Sequence, residues 1–375
     1  MRRSGALLLA AALLAGGCGN GVQRVSEGDA GAHEVSMARY GSGYALAWYD
    51  NRDGNAEIYM RLLDGRGRPA GDEHRLTRDP ELSYEPDIAV LDERVVVAWY
   101  AKRANGSVQP LLAAFGPEGN EQWRVAIASQ GRNPVVRVSG RGIFVAWIQD
   151  ESDTRANVWA GWWSTDGVPL YEPRILAPAG RTTWNLNAAF DEGGTPWVVF
   201  DARADTRSEE LFAVRGTEPP LRLTADDGVA SKYPDIAFSG GRAAITWFDE
   251  RDGNKEVYVG VTPASGVARL EQVATRVTTT PGESIGAYLA WNGTTVGVAW
   301  SDDTAGQNEI YLQRFDAEGT PLGAAQQVTE TPTESNIPAI VPAAQGFALA
   351  WSEYEPAGDG HSVEAKSEIA FTIHP

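Results

Sequence analysis

The stretch covering residues 243–259, AAITWFDERDGNKEVYV, decides how this chain folds. Residues 243–248 are apolar almost without alternation, the pattern of a strand covered on both faces. Asp252 and Gly253 then form the dipeptide that tolerates the positive φ angles of a tight hairpin, and Glu256, Val257 and Tyr258 begin a second strand. Upstream, residues 234–238 read as a short inner strand entering through the turn 239–242. Downstream, residues 263–266 read as a turn and 270–274 as an outer strand. Four short strands therefore make one unit, and the unit recurs. Its apolar run closes on Trp48, Trp99, Trp147, Trp247, Trp300 and Trp351, with Val199 in the fourth slot, at spacings of 51, 48, 52, 48, 53 and 51 residues. That period belongs to four-stranded propeller blades. The sequence predicts an all-β fold, a seven-bladed β-propeller of four-stranded antiparallel blades.

Ring closure is also legible. The last repeat ends at its third strand, residues 368–372, where the chain stops. The missing outer strand is expected at the other end, because Val22-Gln23-Arg24-Val25-Ser26 matches the outer strands at 74–77, 221–224 and 326–329. Completing the seventh blade in this way removes a sheet edge. The chain divides into a leader at 1–17, an anchor and closing strand at 18–31, and a propeller at 32–375.

The leader places Arg2 and Arg3 before an apolar run from Ala6 to Ala15, followed by Gly16, Gly17 and Cys18, a secretory layout. Leu13-Leu14-Ala15-Gly16-Gly17-Cys18 resembles the lipobox of bacterial lipoproteins. That resemblance implies acylation of Cys18 and a lipid-anchored envelope protein. Gly19, in place of the aspartate of inner-membrane retention signals, implies an outer-membrane protein facing the periplasm or the cell surface. Cys18 is the single cysteine, so no disulfide is expected within the fold. The absence of a second long apolar run makes the expected anchor lipid and not a spanning helix.

The chain of 375 residues carries 32 Lys and Arg against 50 Asp and Glu, a formal net charge of −18. Such a surface repels nucleic acid and anionic lipid at distances that salt does not screen. The expected partner is an envelope protein or a glycan, met by a monomer.

The run Asp249-Glu250-Arg251-Asp252-Gly253-Asn254-Lys255-Glu256-Val257-Tyr258, preceded by Phe238-Ser239-Gly240-Gly241, is similar to the repeat of TolB-type propellers. Residues 51–59 match it about as well. The resemblance implies a propeller. The Ser-Pro-Asp-Gly turn of that family is missing here, so its Tol-type partner does not carry over.

Counting outward from the turns sets Asp50 opposite Glu57, Asp201 opposite Glu210, Asp249 opposite Glu256, Asp302 opposite Glu309 and Glu353 opposite Glu368. Like charges across a ladder destabilise it, so a cation is expected beside them. Arg52, Arg203 and Arg251, two residues on and on the same face, are the candidates for a structural acid and arginine network. The alternative is calcium held by these oxygens with help from Asn55 or Asn254. The loops entering the inner strands share this rim and are expected to set Tyr84, Glu85, Asp87, Asn133, Trp184, Asn185, Tyr233 and Asp235 around the channel mouth. Aromatic and carboxylate groups in a funnel suit a sugar or a peptide segment. Trp159, Trp162 and Trp163 read as blade core, the last two pointing to opposite faces.

His33, His74, His361 and His374 make no metal-ligand spacing, and neither a nucleophile elbow nor a phosphate loop occurs. The sequence therefore favours a non-catalytic binding or assembly module without a cofactor. A carbohydrate-active enzyme, sialidase-like or glycosidase-like and using rim carboxylates, is the alternative, because a catalytic pair could sit among so many acids.

Overall fold

The computed structural model describes residues 21–28, 31–152, 155–180, 183–355 and 366–375, and of residues 178–180, 184, 268 and 269 only the backbone. Cys18 and the leader lie outside the described residues, as does His361. Seven four-stranded antiparallel sheets form a seven-bladed β-propeller. The inner strands are Ala32–Tyr40, Leu82–Leu91, Arg132–Ser139, Thr183–Phe190, Ser231–Ser239, Ser284–Asn292 and Glu334–Pro342, in blades 1 to 7.

Seven apolar clusters hold the ring, one at each seam between neighbouring blades. The repeated tryptophan is the large fully buried group of its blade. It stacks on the residue opposite it in the third strand, as Trp48 does on Tyr59, Trp147 on Trp159, Trp247 on Tyr258 and Trp300 on Tyr311. In blade 4 this place belongs to Phe200, stacked on Phe212 at 5.7 Å, and not to Val199. Val199 pairs with Ala213 and faces blade 5 instead. Trp162 and Trp163 do face opposite seams, towards blades 4 and 2.

Blade 5 departs from the expected turn and strand at 263–274. A 3-10 helix, Ala264–Val273, occupies this stretch, and the outer strand is Ala274–Arg276. Val267 and Leu270, one 3-10 turn apart, are both buried in the seam with blade 4. That burial outweighs the pairing residues 270–273 would have made as a strand.

The closing strand, Gln23–Arg24, pairs with Ser367–His374 as the fourth strand of blade 7. Val25 N donates to Ile369 O at 2.7 Å and Ile369 N to Ser26 Oγ at 2.9 Å. Blade 1 makes the same pair of bonds within one stretch of chain, Leu76 N to Ile58 O and Ile58 N to Thr77 Oγ1. Arg61 of blade 1 also donates to Val25 O and Glu27, so the strand is tied to both sides of the seam.

Candidate functional site

Two sets of buried and half-buried carboxylates lie towards one end of the propeller. The outer set sits at the hairpins. Asp50 pairs with Glu57, Asp249 with Glu256, Asp302 with Glu309 and Glu353 with Glu368. Four third-strand acids take a hydroxyl from two residues past the outer strand: Thr77 on Glu57, Thr224 on Glu210, Thr278 on Glu256 and Thr329 on Glu309. An outer-strand arginine adds charge in three blades. Arg75 reaches Glu57 at 2.8 Å, Arg276 reaches Glu256 at 2.8 Å and Arg24 reaches Glu368 at 2.6 Å. Arg52 bridges Asp50 and Glu73, and Arg251 bridges Asp249 and Glu271. Counting outward from the turns names Arg52 and Arg251 but not the outer-strand arginines, since Arg75 and Arg276 lie more than twenty residues past their Asp-Gly turns and Arg24 at the other end of the chain. Arg203 is exposed and forms no ion pair among the described residues. Asn55 and Asn254, candidates for calcium, donate to backbone carbonyls of the loops that follow, Asn55 to Glu57 also. Among the described residues no group of three or more His, Cys, Asp or Glu gathers as a metal site would require.

Asp201 does not lie opposite Glu210. The loop 203–209 pairs Ala202 with Glu210 and Asp201 with Leu211. One step of register turns a side chain to the other face, so Asp201 joins the inner set. Its carboxylate accepts from Asn185 N and Tyr233 N, both at 3.1 Å.

The inner set is built on a repeated irregularity. Every inner strand shifts register at one point. In six blades the first extra residue has positive φ: Glu34 at 52°, Glu85 at 50°, Asn133 at 49°, Tyr233 at 57°, Gly286 at 62° and Ile337 at 53°. Five of the six non-glycine residues with positive φ among those described stand here. The bulge turns its N–H towards the preceding blade, where Ser352 Oγ accepts from Glu34 N and Ser301 Oγ from Ile337 N, both at 3.0 Å. With Asn185 in blade 4, all of these positions but Gly286 line the central cavity of about 1450 Å³. Left-handed backbone in a non-glycine residue costs on the order of 1 kcal/mol and persists where surrounding structure imposes it.

The ring is not uniform. Blades 1 and 2 place Glu34 and Glu85 side by side, whereas blades 6 and 7 offer Gly286 and Ile337. Glu34 Oε2 is buried and has no hydrogen-bond partner among the described residues. Burial, reinforced by the charge of Glu85, pushes the Glu34 carboxyl up to about 8. Burial also raises Glu85, opposed by Tyr100, whose hydroxyl donates to Glu85 Oε1 at 3.2 Å, and by the Arg132 charge. A layer of rings encloses the pair. Tyr84 meets Tyr49 edge-on at 5.0 Å and lies 5.9 Å from Tyr100. His33 stacks between Tyr49 and Tyr354, its Nδ1 3.1 Å from Tyr354 Oη.

The remaining rim candidates divide by role. Asn133, Asn185 and Tyr233 line the cavity. Tyr233 is 42% exposed and stacks on Phe248 at 5.3 Å, a flat platform at the mouth. Asp87 and Asp235 point into the wall. Asp87 accepts from Val136 N at 2.7 Å and from Arg137, and Asp235 from Leu289 N at 2.9 Å, each latching its blade to the next. Burial pushes Asp235 up to about 6. Trp184 lies in the inner strand of blade 4. Glu34, Tyr49, Tyr100 and Arg132 escaped sequence reasoning, though a signal existed. Each positive-φ residue stands 14 positions before its tryptophan: Glu34 before Trp48, Glu85 before Trp99, Asn133 before Trp147, Tyr233 before Trp247.

No family model and no curated protein matches this sequence. Its fold is similar to that of the polysaccharide lyase Uly1, with a TM-score of 0.57 at 12% identity over 97% of this chain and 94% of the lyase. The α-L-arabinofuranosidase Arb93A of Fusarium graminearum gives 0.55 at 14% identity over 79% and 94%. The endosialidase of phage phi92 gives 0.54 at 9% identity over 94% and 69%. At these identities the likeness is one of fold.

Proposed function

We propose that this protein is a carbohydrate-active enzyme that cleaves glycosidic bonds at the mouth of its central channel. The observation that carries the reading is the Glu34 and Glu85 pair, which is strained, desolvated and only half satisfied. A binding module gains nothing from a buried carboxyl without a partner, whereas glycoside hydrolysis needs two carboxyl groups of different basicity. Glu34, protonated at neutral pH, is the general acid and delivers its proton to the leaving oxygen. Glu85 carries the negative charge, which the Tyr100 hydroxyl and the Arg132 charge favour, and faces the anomeric carbon or the attacking water. Tyr233 supplies a surface for a sugar ring. The named activities of the fold neighbours, a polysaccharide lyase, an arabinofuranosidase and an endosialidase, support this reading over the non-catalytic module favoured by sequence alone. We further propose that the enzyme works outside the cytoplasm, held to the envelope by lipid on Cys18.

Release of reducing ends from a panel of plant, algal and bacterial polysaccharides tests the reading. Turnover by the parent is expected to fall at least 100-fold in Glu34→Gln and in Glu85→Gln, in line with loss of about 10²–10⁴ from a missing acid or base. A substrate processed equally by parent and both variants would move the chemistry elsewhere.

A further inference from the structure

Resting on the reading above, we infer that the substrate is an uncharged glycan, and that uronic, sialic or sulfated polymers are excluded by the charge of the cavity. The wall holds Glu34, Glu85, Asp150 and Glu151 near its mouth, and three arginines in all. Each arginine is already engaged by the protein. Arg132 binds both oxygens of Asp150 at 3.0 Å and Thr183 O at 2.8 Å. Arg137 binds Asp87 at 2.7 Å and Ala188 O at 2.6 Å. Arg39 donates to Ser42 O at 3.1 Å and lies over the Tyr44 ring.

Recognition of a sugar carboxylate or sulfate calls for a guanidinium or ammonium with free donors, preferably a two-pronged fork. Here the forks of Arg132 and Arg137 are each closed by an acid and a carbonyl, and Arg39 stands towards the far end of the strand Ala32–Tyr40 from Glu34. An anionic residue would enter beside the carboxylates of Glu85, Asp150 and Glu151 with no open fork at this end of the cavity to receive it, and like charges in a poorly solvated site cost more than in water. Elimination next to a uronic carboxylate would meet the same obstacle, because its charge grows on that carboxylate in the transition state. A neutral ring meets no such penalty. Its apolar face fits Tyr233, and its hydroxyls match Asn133 and Asn185.

The test compares polymers of one linkage that differ only in charge: a polyuronide and the same polymer after reduction of its carboxyls to alcohols, beside neutral arabinan, xylan, galactan and glucan. The full chain is used, with reducing-end release and ultraviolet absorbance of unsaturated ends as readouts. The expected result is turnover of at least one neutral polymer, with any carboxylated counterpart at least ten-fold slower. That gap should narrow as salt screens the repulsion. A polyuronide or sulfated polymer cleaved faster than its neutral counterpart would overturn the inference and leave the catalytic reading standing. No turnover of any polymer would overturn that reading, and the inference with it.

Discussion

The hairpins and the channel mouth both bury carboxylates in repeated positions, and they treat them in opposite ways. At the hairpins, Glu256 is held by Thr278 and Arg276, and Glu57 by Thr77, Arg75 and Asn55. At the mouth Glu34 has an oxygen with no partner beside a second acid, on a backbone in a disfavoured conformation. The first arrangement returns in blade after blade, and across the ring closure Arg24 pairs with Glu368 as Arg75 does with Glu57, while Ser26 accepts from Ile369 N as Thr77 does from Ile58 N. The second occurs once, where two neighbouring ring positions are both glutamate. Repetition in this molecule marks what holds the ring, and broken repetition marks where the chemistry is placed.

Removing a satisfied acid should hurt stability most. Glu256→Ala strips Arg276 and Thr278 of their partner, and breaking a buried pair from one side costs about 3–5 kcal/mol. Denaturant unfolding followed by circular dichroism should show a loss in that range.

The unsatisfied acid should act with the opposite sign. A carboxyl whose folded value is raised binds more protons folded than unfolded between its two values, so its contribution falls as pH climbs through them. Glu34 at about 8 and Asp235 at about 6 share this sign, as does one hairpin acid, Glu210 at about 7, which takes hydroxyls from Thr224 and Ser208 but no ion pair among the described residues. Unfolding free energy is predicted to decline from about pH 4.5 to about pH 8. Glu34→Gln should flatten the part of that decline nearest pH 8 and leave the molecule at least as stable there as the parent. A steep loss of stability in this variant, like that of Glu256→Ala, would erase the distinction between the two regions.

Smaller changes sharpen it. Tyr100→Phe removes the hydrogen bond that opposes the rise of Glu85, so the acidic limb of the pH profile for turnover should move upward, with a loss of about ten-fold, the worth of one hydrogen bond to a charged group. Tyr233→Ala removes an exposed platform. It should raise KM several-fold with kcat and melting temperature nearly unchanged, whereas a fall in kcat alone would contradict its assignment to binding.

How much of this was legible in sequence follows from how local each feature is. Asp-Gly turns fix hairpin register, so Asp249 opposite Glu256 could be counted outward from Gly253. The closing strand was readable because Arg24 and Ser26 occupy the places of Arg75 and Thr77. The long loop at 203–209 offers no such count, and Asp201 was set one step out of register, as was Val199 in the place of Phe200. The 3-10 helix of blade 5 escaped because Val267 and Leu270 fit the core of either element. Four of the seven ring positions were legible, as Glu85, Asn133, Asn185 and Tyr233. Glu34 was missed because a bulge breaks the two-residue alternation that says which way a side chain points, and only the constant offset from the tryptophan preserves its position.

The central claim is that a buried carboxyl at the mouth stays protonated at neutral pH, ready to give its proton away. Infrared difference titration of the parent against Glu34→Gln measures this directly. The account predicts a carboxyl band that is lost near pH 8 in the parent and absent from the variant. Complete ionisation of every carboxyl by about pH 5, in the ordinary range for glutamate, would contradict it.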